Sequence, residues 1–134
     1  MSQNKRVIEH IYAELSRGNS RPFVDALADD VRWIMIGRTA WSGVYEGKEA
    51  VLKTLLAPLR AQFDGQYIAR AERLIAEDDL VVAEVRGRVA TKRGQRYDNT
   101  YCFIFRLADG KIREMTEYLD TALVDAALTP PPRV

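Results

Sequence analysis

Val7, Ile8, Ile11, Tyr12 and Leu15 recur at the spacing of one helix face, and Gly18 follows where such a helix would end. The pattern predicts a first helix over about residues 3–17. Pro22 suits the start of a short second helix, whose apolar side is Phe23, Val24 and Leu27. The run Val31-Arg32-Trp33-Ile34-Met35-Ile36 is short and rich in strand formers, so it predicts a strand, with another near Trp41–Tyr45. Gly47 opens a third helix, with Val51, Leu52, Leu55, Leu56, Leu59 and Phe63 as its buried stripe. Pro58 lies inside that helix and is expected to kink it, because it has no N–H to give to Thr54.

The pattern then changes. Gln66–Glu77, Leu80–Thr91, Arg96–Leu107 and Ile112–Asp120 read as four long strands, punctuated by Asp78-Asp79, Arg93-Gly94 and Asp109-Gly110. Thr121–Leu128 adds a last helical turn or two, and Pro130-Pro131-Pro132 ends regular structure. Helices followed by an antiparallel meander predict an α+β domain in which helices cover one face of a curled sheet. The domain is expected over residues 1–128, with a loose tail over 129–134.

Side chains alternate along a strand, so parity decides which of them share a face. Over 96–107 the odd positions are Tyr97, Asn99, Tyr101, Phe103 and Phe105, and this aromatic set belongs against the helices. With the turn at Arg93-Gly94, Glu84, Arg86 and Arg88 align with Phe103, Tyr101 and Asn99, provided no bulge intervenes. Charges on a pure core face would be costly, whereas a pocket with polar groups among rings would accommodate them. In that register Val81, Ala83, Val85 and Val89 form the opposite face and suit a sheet-to-sheet contact between two copies.

Composition narrows the functional classes. Lys plus Arg total 20 against 19 for Asp plus Glu, with no basic stripe, so a nucleic-acid partner is not expected. Cys102 is the single cysteine and His10 the single histidine, which leaves neither a disulfide nor a metal site to expect. His10 lies off the Val7/Ile11/Leu15 line and is expected to be exposed. No stretch approaches the ~18 apolar residues that span a bilayer, and no signal-peptide pattern opens the chain, so no membrane contact is expected and the expected compartment is the cytoplasm.

Longer motifs carry a family likeness. Tyr97-Asp98-Asn99-Thr100-Tyr101, Phe103-Ile104-Phe105-Arg106, Asp109-Gly110-Lys111-Ile112 and Glu117-Tyr118-Leu119-Asp120-Thr121 together resemble the SnoaL-like, ketosteroid-isomerase-related proteins of the nuclear transport factor 2-like superfamily. Leu27-Ala28-Asp29-Asp30-Val31 with Trp33, and the Gly43, Gly47, Ala50-Val51 run, extend the likeness over nearly the whole chain. The resemblance implies a cone-shaped half-barrel around one central pocket, commonly dimeric through its sheet. It spans isomerases, cyclases, epoxide hydrolases and non-catalytic members, so it leaves the activity open. The positions matching the ketosteroid isomerase acid, oxyanion Asp and helix-one Tyr are Met35, Phe103 and Ile11, so that reaction is not expected. Glu117 resembles the acid/base Asp of SnoaL-type cyclases, whose pocket His is replaced by Phe103. Glu84, Arg86 and Glu117 resemble the ionic cluster of limonene-epoxide-hydrolase-like enzymes, with the first two signs exchanged and with Trp33 and Met35 in place of the water-positioning Tyr and Asn.

The expected function is a cofactor-independent acid/base enzyme, of isomerase, cyclase or hydrolase type, acting on a small apolar carbonyl or ring compound. Glu117 is its acid/base, Arg86 an electrostatic clamp and Glu84 the orienter of Arg86. Trp33, Met35, Trp41, Tyr45, Arg88, Asn99, Tyr101, Phe103 and Leu119 are the candidate ligand-binding residues. Tyr118 and Asp120 take the opposite parity and are expected outside. The alternative is a non-catalytic ligand-binding or dimeric accessory domain, in which Glu117 and Arg86 are a structural pair.

Overall fold

A computed structural model describes residues 2–132. Helix α1, Gln3–Leu15, starts where the Ser2 hydroxyl accepts from the Lys5 N–H at 3.0 Å. It turns its Ile8, Ile11, Tyr12 and Leu15 side into the core, and His10 is exposed, as expected. Helix α2, Arg21–Ala26, follows with Pro22 in its first turn.

Strands β1, Leu27–Met35, β2, Gly43–Glu46, β3, Phe63–Glu77, β4, Leu80–Thr91, β5, Thr100–Ala108, and β6, Lys111–Leu119, form a single six-stranded sheet in the order β2-β1-β6-β5-β4-β3. The β1–β6 pair is parallel and the other pairs are antiparallel. This curved, unclosed sheet wraps around the helices, so one face holds the core and the other meets solvent. Asp78 and Asp109 adopt φ of 55° and 53°, which lets the β3–β4 and β5–β6 hairpins close in tight turns whose twist matches the strands. Helix α5, Thr121–Ala127, is capped by Asp120, whose carboxylate accepts from the Leu123 N–H at 3.2 Å.

The third helical region runs as α3, Lys48–Ala50, a π-helical segment, Val51–Leu56, and α4, Ala57–Arg60. A widened turn thus stands just before Pro58, where a kink was expected. The Ala57 N–H bonds the Leu52 carbonyl five residues back, and Pro58 falls in the opening turn of α4, where its missing N–H costs little. At the other end of the expected loose tail, Thr129 is tied down: its carbonyl accepts from Trp41 Nε1 and Gln62 Nε2, both at 2.9 Å. Arg133 and Val134 lie outside the described residues.

The register between β4 and β5 differs from the expected one by one residue. Thr91 and Gln95 close the connection, so the loop is Lys92-Arg93-Gly94, three residues long, with Gly94 at φ 85°. An odd loop length pairs even positions with even: Glu84 faces Cys102, Arg86 faces Thr100, and Val85 faces Tyr101. A one-residue slip exchanges the faces. Val81, Ala83, Val85 and Val89 are therefore core residues, each at most 4% exposed, and not a contact surface for a second copy. Glu84, Arg86 and Arg88 stand on the solvent side instead.

Among the described residues no helix is long and apolar enough to cross a membrane.

Candidate active site

The sheet's inner face brings Met35, Glu117, Phe103 and Ala83 into one row across four strands. Beside it run Trp33, Met115, Phe105 and Val81. Small Ala69 on β3 lines the space left between this floor and the helices. The result is a cavity of about 350 Å³, within the size range of small-molecule sites. Rings dominate its wall: Trp33 meets Phe23 and Phe103 edge-on, with centroids 5.8 and 6.5 Å apart, and Phe103 stacks on Tyr101 at 5.2 Å.

Glu117 is the acid in this wall, and it is 5% exposed. Its Oε1 accepts from Trp33 Nε1 at 2.8 Å. Its Oε2 has no hydrogen-bond partner among the described residues, yet no fully buried polar side-chain atom is left unpartnered, so this oxygen opens onto the cavity. Burial raises the carboxyl pKa from 4.5 to about 7, against a smaller lowering by the Trp33 hydrogen bond. The acid is thus near half-ionised at neutral pH, the condition for taking and returning a proton.

Besides that of Tyr45, four phenols feel the Glu117 charge: those of Tyr12, Tyr67, Tyr97 and Tyr101. Desolvation raises each pKa, that of Tyr97 to about 12, so all four stay protonated and can donate. The neighbouring Tyr67 and Tyr97 phenols raise that of Tyr101 further. Asn99 anchors Tyr97. Its Nδ2 donates to Tyr97 Oη and to the Asp120 carbonyl, both at 3.2 Å, and its Oδ1 accepts from the N–H groups of Thr100 and Asp120. All its bonding capacity is spent within the protein, so Asn99 positions phenols and does not line the cavity.

The structure brings Trp33, Met35, Trp41, Tyr101, Phe103 and Glu117 together around the cavity. It does not bring Glu84, Arg86 or Arg88 there. Glu84 pairs with Arg73 at 2.7 Å and Arg86 with Glu72 at 3.5 Å, on the outer face, because the three-residue loop sets the parity. Arg86 cannot clamp a ligand beside Glu117, and Glu84 orients nothing in the cavity. Tyr45 points its hydroxyl to the Trp41 carbonyl at 2.6 Å, and half-buried Leu119 stands beside Tyr101 without reaching the cavity. Tyr118, 45% exposed, and Asp120 lie outside as expected. Tyr12, Tyr67 and Tyr97 were not among the candidates. Tyr12 belongs to the α1 stripe and was legible as a core residue only, while Tyr67 is recognisable only together with Gly87.

Gly87 shows that dependence. A Cβ built there would stand 2.6 Å from Tyr67 Oη, so the bare backbone of β4 is what admits the phenol. Gly87→Ala is expected to push the ring into the cavity and cost about 1–3 kcal/mol through overpacking, measured by denaturant unfolding. The same substitution at exposed Gly94 would meet no atom within 4 Å.

Among the described residues no group of three or more His, Cys, Asp or Glu side chains is placed to hold a metal ion.

A curved α+β sheet around an aromatic cavity with one buried acid defines a class, and comparison with known proteins agrees with it. The SnoaL-like domain profile matches residues 8–115, and the chain belongs to that family. An uncharacterized protein of Mycobacterium tuberculosis is 25% identical over 121 residues, covering 90% of this chain and 92% of the relative. An NTF2-like protein of unknown function from Burkholderia pseudomallei superposes with a TM-score of 0.80 at 19% identity, over 96% of this chain and 99% of that one. A protein described as a SnoaL-like polyketide cyclase, from Jannaschia, gives 0.75 at 23%, over 97% and 94%. TerC, co-crystallized with polyporic acid, gives 0.75 at 22%, over 90% and 94%. At these identities the likeness of the three structures is one of fold.

Proposed function

We propose that the protein is a cofactor-independent acid/base enzyme acting on a small, mostly apolar carbonyl or ring compound. One observation carries this reading: a carboxyl buried in a ring-lined cavity, held by Trp33 through one oxygen and open to the cavity through the other. The carboxylate form of Glu117 removes a proton from carbon next to a carbonyl. The phenols of Tyr12, Tyr67 and Tyr101 donate to the oxygen that gains charge, and the protonated Glu117 returns the proton elsewhere on the skeleton. Relatives named as a polyketide cyclase and as a complex with polyporic acid support a ring-containing ligand. The test is solvent exchange: in D2O, enolisable bicyclic ketones and polyketide-like rings should gain deuterium at carbon, or turn over, with wild-type protein. Tight binding of several such rings with neither exchange nor turnover would leave a binding protein.

The same reading includes a homodimer through the outer face of the sheet, in the cytoplasm. Val44, Ile34, Thr116, Ile104, Val82 and Ile75 form one row across all six strands. Val44 and Ile75 are 48% and 53% exposed, much for large apolar side chains. One flank carries the Glu46–Arg32–Glu114 ladder, with N–O distances of 2.9 and 3.0 Å, which would form a polar rim around an apolar centre. Sedimentation should show a dimer, and Ile104→Lys should give a monomer that still binds ring compounds. A wild-type chain that sediments as a monomer would exclude this interface.

A further inference from the structure

We infer that the ligand carries an anionic group, a carboxylate or an equivalent acid, on the end away from Glu117, and that Arg60 receives it at the cavity mouth. The inference rests on the cavity being a ligand site and adds the class of ligand.

Among the described residues lining the cavity, the side chains that can carry charge at neutral pH are Glu117 and Arg60. They sit at opposite depths. Glu117 is on the buried floor, whereas Arg60 is exposed at the end of α4, beside the half-buried or exposed Gly18, Ser20, Gly65 and Gln66. These residues mark where the cavity meets solvent. Arg60 is steered there by Ser20, whose Oγ accepts from Nη2 at 2.9 Å. Its other N–H groups have no acceptor among the described residues, and no carboxylate pairs with it. Most other arginines, such as Arg32, Arg73, Arg96, Arg106 and Arg113, do hold an acid. Neighbouring Arg17 is engaged by Glu14 at 3.5 Å, and Asp64, next to Gly65, does not line the cavity.

Charge fixes the orientation. An anion driven to the floor would lose its water and face the Glu117 carboxylate, with no cation there to offset either cost. Turned the other way, apolar rings fill the ring-lined interior and the anion reaches a guanidinium suited to a bidentate hold. The volume of about 350 Å³ suits two or three fused rings. The ligand class is therefore a small fused-ring acid with its reactive carbonyl on the inner end.

Anthracene-2-carboxylate and its neutral, nearly isosteric carboxamide test this through quenching of Trp33 and Trp41, both of which line the cavity. Wild type should prefer the carboxylate by about fivefold, the upper end of what an exposed ion pair gives. That preference should vanish in Arg60→Gln, survive in part in Arg60→Lys, and fade towards about 1 M salt, where charges are screened beyond ~3 Å. Carboxamide affinity should be the same in all three proteins. Equal binding of both ligands by wild type, or a preference that persists in Arg60→Gln, would overturn the anion site and leave the Glu117 reading untouched. Failure of wild type to bind either ligand would overturn both.

Discussion

Glu117→Gln should reduce exchange and turnover by about 10²–10⁴-fold, the range general acid/base groups supply, while leaving ligand affinity within a few fold. Glutamine keeps the shape and can still accept from Trp33 Nε1 with its carbonyl, so the change removes the exchangeable proton and little else. The pH profile separates chemistry from damage. With Glu117 acting first as a base, kcat/KM of wild type should rise with pH and level off above about 7, following ionisation of the carboxyl. The residual rate of Glu117→Gln should show no such limb. Equal rates in the two proteins would remove Glu117 from the mechanism, and a fall in rate with an unchanged limb would assign the limb to another group. Asn99→Ala offers a graded comparison. It touches no ligand, yet it releases Tyr97 from its anchor, so it should slow turnover less than Glu117→Gln and leave the pH limb in place.

The fold was legible because its signals are local and redundant. The Ile8–Leu15 stripe, the Asp78-Asp79 and Asp109-Gly110 turns and the alternation along β4 to β6 each specify an element, and they agree. Glu117 was legible from its likeness to the acid/base Asp of SnoaL-type cyclases; the two-residue β5–β6 turn by itself would set it opposite Cys102, and a bulge at Arg113 shifts it opposite Phe103 on the inner face. The assignment of β4 failed at one position. Whether Lys92 belongs to the strand or to the loop decides the parity of twelve residues, and no hydrophobic run at 90–95 records the choice. The valines held that information in another form. Val81, Val85 and Val89 are apolar on one parity while Glu84, Arg86 and Arg88 are charged on the other, and burial favours the valines regardless of the turn. Apart from Tyr101, already a candidate, the tyrosines were illegible for a different reason. Tyr12, Tyr67 and Tyr101 come from α1, β3 and β5, and only the closure of the sheet around the helix brings their hydroxyls to one space.

Removing the acid should also stabilise the protein above neutrality. Glu117 has a folded-state pKa near 7 against 4.5 for the ordinary side chain, so between these values the native chain holds a proton that the unfolded chain has lost. Stability then falls as pH rises through this window, and the full cost, about 3 kcal/mol for a shift of this size, is present above pH 7. Glutamine has no charge to bury. Unfolding by urea should therefore find Glu117→Gln nearly equal to wild type at about pH 4.5 and more stable by roughly 2–3 kcal/mol at about pH 8. The difference between the two proteins isolates this one group from the other carboxylates, which titrate alike in both. A flat difference across that range would mean that the carboxylate is solvated in the native state, and would contradict the burial from which its chemistry is argued. A difference that grows as stated ties lost activity and gained stability to a single desolvated oxygen pair, the signature of a residue kept for its reactivity.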